Sequence, residues 1–577
     1  MSDDKKQDAP AVPMVNVQID GEWHQFPKGT RMIEACRQVQ VEVPHYCYHP
    51  KLSSPGNCRM CLVEMGMPPR LAPGAEPELD ENGRQKIGWM PRPVIACANT
   101  VAENMGIRTD SELTKACREG VMEFLLVNHP LDCPICDQAG ECSLQEHSAE
   151  HGHGESRFRD EKNKKPKNVN IGPRIRLDDE RCIMCSRCIR FCDETVDDPV
   201  LGFTDRGSHT VLTVHPNQQL ANDYSMNTVD ICPVGALTSN DFRFQMRTWF
   251  MKETKSICTS CGRGCNTTIG SREGTIFRQT PRDNNDVNSA WMCDHGRMNY
   301  HYVNSEARLT DPMIRENGEE AHRVVSWSKA IRFAADELLK FNASEVAVIA
   351  SARMTNEELF MTRRLIADLS VEQVDVVTRR GKGDDYLVTA DKNPNTAGAK
   401  LVLGLKKPGG ELDAIREGIE SGKIKALVVL QENLIDDADF TSELLGKLDF
   451  LLTTYPLANP TADDSHVVLP AATFAEKDGT MINVTGRLQR LNKVHQGPGQ
   501  TMEVWEICRD LIMAIGGGNG IYSANDVFKE MAGEIKQFEG LTLAGVGEQG
   551  LPLLKTRNTV PMLEREKERI AKGEIVG

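Results

Sequence analysis

The chain has 577 residues, which suggests about four domains, and its formal net charge is −15 at pH 7. This acidic charge argues against general nucleic-acid binding, and the lack of any run of 18 or more apolar residues argues against a membrane span. The N-terminus is neither a secretory signal nor a transit peptide, and 18 of the 19 cysteines lie before residue 294, so these clustered thiols are expected to be metal ligands rather than disulfide partners.

The first predicted elements form a compact α+β unit behind a disordered tail at 1–13. "VNVQID-GEWHQF" alternates around Asp20-Gly21, which predicts a hairpin with a type I′ turn. "TRMIEACRQVQ" predicts a short helix with Thr30 as its N-cap. Residues 66–93 are rich in Pro, Gly and charge, and we expect an exposed loop inserted in this unit.

The pattern of apolar residues changes along the chain. Residues 110–127 are predicted to be helical, and the charged residues 155–170 are predicted to be a linker. From about residue 326, helical stretches such as "SWSKAIRFAADELLK" and "NEELFMTRRLIADL" alternate with short apolar runs such as "SEVAVIAS", "ALVVL", "DFLLTT" and "HVVLP". This alternation predicts a doubly wound α/β domain with parallel strands. The final "LEREKERIAKGEIVG" predicts a surface helix or a frayed tail.

Four groups of potential metal ligands follow one another in the N-terminal half. The first has the spacing C-x10-C-x2-C and a distant fourth thiol: Cys47, Cys58, Cys61 and Cys97. Plant-type [2Fe–2S] ferredoxins use C-x4-C-x2-C and a distant fourth cysteine, so the first loop is longer here. A structural zinc site is the alternative, but only one C-x2-C knuckle is present, which favours iron–sulfur.

The second group has the spacing H-x3-C-x2-C-x5-C: His129, Cys133, Cys136 and Cys142. Imidazole can replace thiolate on iron, and a neutral ring removes one negative charge, which favours the reduced state. Cys117 is a rival fourth ligand, although its predicted helix favours burial as a small apolar residue. A zinc site with three cysteines and one histidine is the competing interpretation.

The third group follows a bacterial ferredoxin pattern in "CIMCSRCIRFCDETV" and "DICPVGAL". Because Cys192 is followed by aspartate and Cys232 by proline, one [4Fe–4S] cluster is assigned to Cys182, Cys185, Cys188 and Cys232. The fourth group, C-x2-C-x3-C-x27-C, predicts another [4Fe–4S] cluster on Cys258, Cys261, Cys265 and Cys293. Four cysteines are left over: Cys36, Cys117, Cys192 and Cys508.

The ordered set resembles the large iron–sulfur subunit of respiratory complex I, the NADH–quinone oxidoreductase. "RLTDPMIRENGEEAHRVVSWSKAI" and "FAEKDGTMINVTGRLQR" also resemble segments of that family's molybdopterin-oxidoreductase-like domain. The resemblance implies one [2Fe–2S] cluster and three [4Fe–4S] clusters, with no molybdopterin. It implies a relay from the flavin subunit that binds NADH and FMN, through the first, third and second groups, to the next iron–sulfur subunit and finally quinone. The Cys258 group matches a cluster of some bacterial members that lies off this path.

The resemblance also implies a peripheral subunit on the cytoplasmic face of a bacterial inner membrane, with quinone reached only through partners and no substrate site on this chain. The expected fold is multidomain, α+β then α/β. Its predicted parts are a tail at 1–13, a ferredoxin-like [2Fe–2S] domain at 14–99, a [4Fe–4S] domain with one histidine and three cysteines at 100–154, a bacterial-ferredoxin-like [4Fe–4S] domain at 155–250, a [4Fe–4S] domain of the molybdopterin-enzyme type at 251–310, a shortened molybdopterin-oxidoreductase-like α/β domain without cofactor at 311–560, and a tail at 561–577.

Three other functions fit parts of the pattern. A molybdenum-dependent enzyme of the formate dehydrogenase type can share the cluster motifs, but fewer than 270 residues follow Arg308, and the only late thiol, Cys508, is predicted to be a core position. The diaphorase subunit of an NAD-linked hydrogenase usually ends before the α/β domain. A zinc-stapled scaffold without redox function is the third alternative, and metal analysis with an absorption spectrum would separate it from a relay.

Overall fold

The computed structural model describes residues 12–70, 76, 78–80, 83–316, 319, 321–518 and 520–576. Within them the chain forms two compact units, one from Met1–Thr248 with Glu566–Gly577 and one from Trp249–Arg565. In the described part of the chain, no helix is both long enough and apolar enough to cross a bilayer. Most of the predicted N-terminal tail, residues 1–11, lies outside the described residues.

The first unit is built on a mixed sheet with the strand order β2-β1-β6-β3-β4, and β5 pairs with β3. Two smaller sheets follow, β11-β8-β7 and β10-β9. The strands are β1 Met14–Ile19, β2 Glu22–Pro27, β3 Leu62–Met67, β4 Gly88–Trp89, β5 Val94–Ile95, β6 Met105–Arg108, β7 Val169–Asn170, β8 Ile175–Leu177, β9 Leu201–Thr204, β10 Val211–Val214 and β11 Leu237–Ser239. The helices are α1 Met32–Gln38, α2 Glu112–Leu126, α3 Ser143–His151, α4 Arg187–Arg190 and α5 Asn227–Asp230.

The predicted hairpin is present, and the backbone conformation of its turn explains why Asp20 and Gly21 occupy it. Asp20 and Gly21 both have positive φ, 47° and 98°, as a type I′ turn requires. The predicted cap is wrong, because Arg31 occupies the N-cap of α1 and makes no side-chain cap. The Thr30 hydroxyl instead donates to the Pro27 carbonyl at 2.8 Å, so it closes the turn that leaves β2.

The segment predicted as a loop at 66–93 is partly strand. Gly66 and Met67 in β3 pair with Trp89 and Gly88 in β4, so the ends of this segment extend the sheet. Residues 71–75, 77, 81 and 82 lie outside the described residues. The prediction of an exposed loop over the whole segment is therefore wrong at both ends.

The second unit has a seven-stranded sheet with the order β16-β15-β21-β20-β19-β17-β18, and two three-stranded antiparallel sheets, β12-β13-β14 and β22-β23-β24. The strands are β12 Lys252–Ile257, β13 Asn266–Arg272, β14 Thr275–Pro281, β15 Met313–Ile314, β16 Arg323–Val324, β17 Val346–Ser351, β18 Gln373–Val377, β19 Ala426–Leu430, β20 Phe450–Tyr455, β21 Val467–Pro470, β22 Gly479–Ile482, β23 Arg487–Leu491 and β24 Leu551–Pro552. The helices are α6 Asp294–Met298, α7 Trp327–Leu338, α8 Asn356–Asp368, α9 Thr396–Val402, α10 Leu412–Glu420, α11 Leu434–Asp437, α12 Ser442–Leu445, α13 Pro460–Asp463, α14 Val504–Ala514 and α15 Ala524–Glu534, followed by α16 Pro561–Ala571.

The predicted parallel α/β sheet is confirmed. The strands β18, β17, β19, β20 and β21 pair in parallel, and β15 and β16 add an antiparallel edge. Along β17, Val346 and Val348 face one apolar cluster and Ala347 and Ile349 face another. Burial on both faces is the condition that favours an uninterrupted apolar run such as "VAVIAS".

The C-terminal residues predicted as a surface helix or frayed tail form the packed helix α16. Met562, Glu566 and Ile575 are all buried. Glu566 reaches Lys51 at 3.5 Å, and the backbone N–H of Val576 donates to the Pro50 carbonyl at 2.9 Å. The helix alternative is therefore confirmed over Pro561–Ala571, and the frayed-tail alternative is wrong for the described residues up to 576.

Candidate iron–sulfur sites

The first predicted ligand set comes together in the first unit. Cys47 and Cys58 flank the loop after α1, Cys61 immediately precedes β3, and Cys97 follows β5. All four side chains are buried. Their sulfurs form a chain of contacts in which Cys58 meets Cys47, Cys47 meets Cys97, and Cys97 meets Cys61. Four converging thiols of this kind suit a small iron–sulfur cluster.

The ten-residue loop between Cys47 and Cys58 is anchored by distant parts of the chain. The Glu194 carboxylate accepts hydrogen bonds from the backbone N–H of Ser53, at 2.8 Å, and from its hydroxyl. The Arg190 guanidinium donates to the Ser53 carbonyl. These contacts hold a loop that is longer than the plant-type spacing and has no secondary structure of its own.

The second predicted set lines a small cavity of about 20 Å³; its members are His129, Cys133, Cys136 and Cys142. A short 3₁₀ helix, Cys133–Ile135, and the N-cap position of α3 place the thiols. A Cβ added at Gly235 would lie 2.3 Å from the Cys136 sulfur, so only glycine leaves room for this thiol. Cys117, which the structure describes on α2, does not line this cavity.

The electrostatic surroundings of His129 suit a neutral ligand. Burial lowers the pKa of His129, the nearby Lys162 and Arg181 lower it too, and Asp132 opposes them; together they bring this pKa to about 4. Arg181 is itself paired with Asp132 at 3.1 Å. A neutral imidazole has the free lone pair that a metal ligand needs.

The third predicted set lines a small cavity of about 10 Å³ together with apolar side chains such as Phe203 and Leu212; its thiols are Cys182, Cys185, Cys188 and Cys232. Met184 and Ser186 have positive φ, 56° and 61°, which wraps the chain around Cys185. Burial and the neighbouring Cys232 raise the pKa of Cys185 to about 11. In this apolar surrounding a thiolate becomes stable only beside a positive ion, which is what a cluster supplies.

The fourth predicted set lies in the second unit, between β12 and α6. The backbone N–H of Cys258 donates to the Cys265 carbonyl at 2.8 Å, which closes the turn that carries Cys261. Cys293 is the N-cap of α6, and its sulfur accepts from the Gly296 N–H at 3.3 Å. A Cβ at Gly296 would lie 3.0 Å from the Cys258 sulfur and 3.2 Å from the Cys293 sulfur, so a larger residue here would press on both sulfurs.

Three of the four ligand sets are connected to one another by side-chain and backbone contacts within the first unit. The Arg190 guanidinium donates to the carbonyls of Cys47, at 2.5 Å, and Cys185, at 3.4 Å, which joins the first and third sets. Pro233, next to Cys232, has a carbonyl that accepts from the Ser143 N–H at 3.1 Å, which joins the third and second sets. One apolar cluster contains thiols of all three sets.

The residues that connect the three ligand sets were not predicted from the sequence. The sequence does place arginines at positions 187 and 190, among the cysteines of "CSRCIRFC". Gly235 was also visible in "CPVGAL", but its role depends on Cys136, which is 99 residues away in sequence. Such contacts follow from the fold and not from spacing.

The four leftover cysteines occupy other places. Cys36 is buried in the core beside the first sheet, and Cys117 is half-buried on α2. Cys192 is buried one turn after α4, and burial raises its pKa to about 12. Cys508 is buried on α14, 3.8 Å from the Thr362 hydroxyl, as expected for a core position.

Comparison with known families supports the succession of domain types. Five family models match in order: a 2Fe-2S iron-sulfur cluster binding domain at residues 12–112, an NADH-ubiquinone oxidoreductase-G iron-sulfur binding region at 118–157, an NADH-quinone oxidoreductase subunit 3 ferredoxin-like domain at 172–238, a molybdopterin oxidoreductase Fe4S4 domain at 251–305, and a molybdopterin oxidoreductase domain at 308–390 and 390–514. The predicted fold class is confirmed, and the chain contains 2Fe-2S and 4Fe-4S binding domains.

Individual relatives agree with these models. The G subunit of NADH-quinone oxidoreductase from Rickettsia felis is 39% identical over 376 residues, which are 64% of this chain and 52% of the relative. The NADH-ubiquinone oxidoreductase 75 kDa subunit of Reclinomonas americana is 39% identical over 362 residues, 63% of this chain and 49% of the relative. The chain thus spans about half the length of the curated relatives it matches. A solved NAD+-reducing [NiFe]-hydrogenase in the H2-reduced state has 25% identity and a TM-score of 0.33, covering 41% of this chain and 91% of that one.

Proposed function

We infer that this chain, a homologue of the G subunit of NADH-quinone oxidoreductase, conducts electrons through iron–sulfur clusters as a subunit of that oxidoreductase. The observation that carries this proposal is the joining of three ligand sets by Arg190, by the segment after Cys232 and by one apolar cluster. When bound, the clusters would supply reversible one-electron transfer. The chain would contribute ligand identity, burial and a fixed spacing between sites.

The proposed inventory is one [2Fe–2S] cluster and three [4Fe–4S] clusters. The first set, Cys47, Cys58, Cys61 and Cys97, would hold the binuclear cluster. The tetranuclear clusters would be held by His129 with Cys133, Cys136 and Cys142, by Cys182 with Cys185, Cys188 and Cys232, and by Cys258 with Cys261, Cys265 and Cys293. Burial raises the pKa of the Cys232 thiol, and the backbone N–H groups of Val234, Ala236 and Leu237 oppose this rise because they donate to its sulfur.

The partners proposed for the chain are the flavin subunit that binds NADH and FMN and the next iron–sulfur subunit. The surface beside the second set supports the latter. Cys133 is exposed, and Leu131 and Ile135 beside it are 88% and 62% exposed. An exposed ligand flanked by apolar side chains is a suitable place for a partner to dock and exclude water. The location proposed for the assembly is the cytoplasmic face of a bacterial inner membrane, with quinone reached through partners.

The test is the iron and acid-labile sulfide content of the full chain, purified without oxygen, together with EPR spectra during stepwise reduction. We expect one binuclear and three tetranuclear centres. A colourless, zinc-loaded chain would overturn the proposal in favour of a scaffold. Molybdenum bound in proportion to the chain would favour the formate dehydrogenase type instead.

His129 is tested separately by the variant His129→Cys. If the ring is a ligand, the EPR signature and the midpoint potential of one tetranuclear centre should change, because a thiolate adds a negative charge. The other centres should keep their signals. Unchanged values for all centres would reject His129 as a ligand and leave the other three sets unaffected.

A further inference from the structure

Helix α3 carries a second group of potential metal ligands that is separate from the sixteen cluster ligands. His147, Glu150 and His151 have the spacing H-x-x-E-H, and residues three and four apart lie on one face of a helix. Their ligand atoms all lie within 4.8 Å of one another. Four residues lie between Cys142, the last thiol of the second set, and His147.

The distances are close to those of a zinc site. The same Glu150 carboxylate oxygen lies 3.6 Å from the His147 Nδ1 and 3.7 Å from the His151 Nε2. A tetrahedral zinc ion with bonds of about 2.0–2.2 Å holds neighbouring ligand atoms about 3.3–3.5 Å apart. A contraction of a few tenths of an ångström would therefore bring both nitrogens to this distance from the Glu150 oxygen.

The burial and hydrogen bonding of His147 indicate that a ligand is missing beside its ring. His147 is 8% exposed, and in the described part of the chain its Nδ1 atom has no hydrogen-bond partner. Buried polar atoms normally have one, and the Glu150 oxygen at 3.6 Å is too distant to serve. The Tyr46 ring meets the His147 ring edge-on at 5.3 Å and fixes its orientation.

The charges around this group leave the histidines in the form that binds metal. Burial lowers the pKa of His147 and of His151, so both rings are neutral near pH 7. Among their charged neighbours, Glu150 and Glu42 favour a cation and Arg118 opposes it. The Glu150 side chain is 62% exposed, which opens the group to ions from solvent.

We propose that His147 Nδ1, the Glu150 carboxylate and His151 Nε2 bind one Zn²⁺ ion, with water as the fourth ligand. Two imidazoles and one carboxylate form a donor set that zinc accepts in proteins. Bound there, the ion would tie the last turn of α3 to the buried ring of His147. This site lies beyond the proposed relay and does not depend on it.

The proposal is tested with the full chain, its clusters intact, by equilibrium dialysis against Zn²⁺ with zinc, iron and sulfide measured for each sample. We expect one zinc ion per wild-type chain. Glu150→Gln and His151→Gln should weaken the binding by at least the roughly 10–100-fold that loss of an outer-shell partner alone causes. Both positions are accessible to solvent, so neither change should prevent folding.

His153→Gln is the matched control, because His153 lies on the same surface two residues further on and pairs with Glu119 at 3.6 Å. It should bind zinc like the wild type. Iron and sulfide should be the same in all four proteins, and anomalous scattering at the zinc edge should place the ion between the three side chains. Equal zinc binding by wild type and His151→Gln, or zinc uptake that displaces iron, would overturn the proposal.

Discussion

At the residue scale, the space around the sulfurs depends on two glycines. Gly235 faces the Cys136 sulfur, and Gly296 faces the sulfurs of Cys258 and Cys293. Neither glycine has a left-handed backbone, so the reason for glycine is the missing side chain and not the φ angle. The ligand sets therefore require small residues as well as cysteines, and at Gly235 the sulfur that needs the space is 99 residues away in sequence.

Gly235→Ala should damage the second ligand set selectively. The new Cβ would lie 2.3 Å from the Cys136 sulfur and 3.1 Å from the Gln138 Cβ, which forces the thiol away from its partners. Overpacking of this kind costs about 1–3 kcal/mol in a packed interior. We expect loss of one tetranuclear centre by iron analysis and EPR. Gly120→Ala on α2, where a Cβ meets nothing within 4 Å, should leave all centres in place.

A buried carboxyl in the second unit should make stability depend on pH. Burial raises the pKa of Glu357 from 4.5 to about 7, although the backbone N–H and the hydroxyl of Thr480 donate to its oxygens. Because the folded state holds this proton more tightly than the unfolded state, the stabilisation is complete below pH 4.5 and is lost as the pH rises to about 7. The slope is at most about 1.4 kcal/mol per pH unit.

The variant Glu357→Gln isolates this effect. An amide keeps the shape, and the Thr480 hydroxyl can turn to accept from it, so the fold should be retained. Wild type should lose stability relative to the variant as the pH rises from 4.5 to about 7, as measured by hydrogen exchange of α8. A difference between the two proteins that does not change with pH would show that Glu357 does not titrate in this range.

At the element scale, the start of α8 combines a cap with a buried ion pair. Thr355 and Glu358 form a capping box, in which the Thr355 N–H donates to the Glu358 carboxylate at 2.8 Å. The Lys477 ammonium lies 2.6 Å from the same carboxylate, and both side chains are almost fully buried. The second carboxylate oxygen accepts from the Val504 N–H at 3.2 Å, at the start of α14. One side chain thus connects three segments of the second unit.

Lys477→Met should destabilise the second unit because it removes the cation that is paired with the buried Glu358 carboxylate. Removal of one member of a buried ion pair typically costs about 3–5 kcal/mol. The loss should appear as faster hydrogen exchange in α8 and α14. The double variant Lys477→Met, Glu358→Gln should recover part of it, and Lys425→Met, which breaks an exposed pair with Glu345, should change little. Equal protection in Lys477→Met and wild type would contradict this argument.

Helices and strands with a clear repeating pattern of apolar residues could be predicted from the sequence, and two-residue strands could not. Helices α7 and α8 and strands β17, β19, β20 and β21 follow the predicted stretches closely. Strands such as β4, β15 and β16 have two residues and are too short to show such a pattern. Their pairing depends on a partner that is distant in sequence. The ligand sets were predicted from spacing alone. His147, Glu150 and His151 were not singled out, although their closeness needs only helical spacing within α3; what the sequence could not show is that the His147 ring is buried.

At the scale of the whole first unit, contacts between distant residues hold the first ligand set. Arg31 donates to the Gly573 carbonyl, 542 residues away, and Arg569 reaches Glu194 at 2.6 Å. Glu194 in turn holds Ser53 in the loop between Cys47 and Cys58. The C-terminal segment therefore supports a loop near the other end of the chain, which no local pattern could indicate.

Ending the chain after Arg565 should therefore weaken the first ligand set more than the others. The truncation removes the partner of the buried Lys51 and releases Glu194 from Arg569, so the loop that carries Cys47 and Cys58 loses two anchors. We expect faster loss of the binuclear EPR signal in air, while the centre on Cys258, Cys261, Cys265 and Cys293 is unchanged. Arg569→Gln should give a smaller effect in the same direction, and the exposed Lys572→Gln should give none. If the truncated chain kept its binuclear signal as long as the wild type, the loop would have to be held by Arg190 and Glu194 alone.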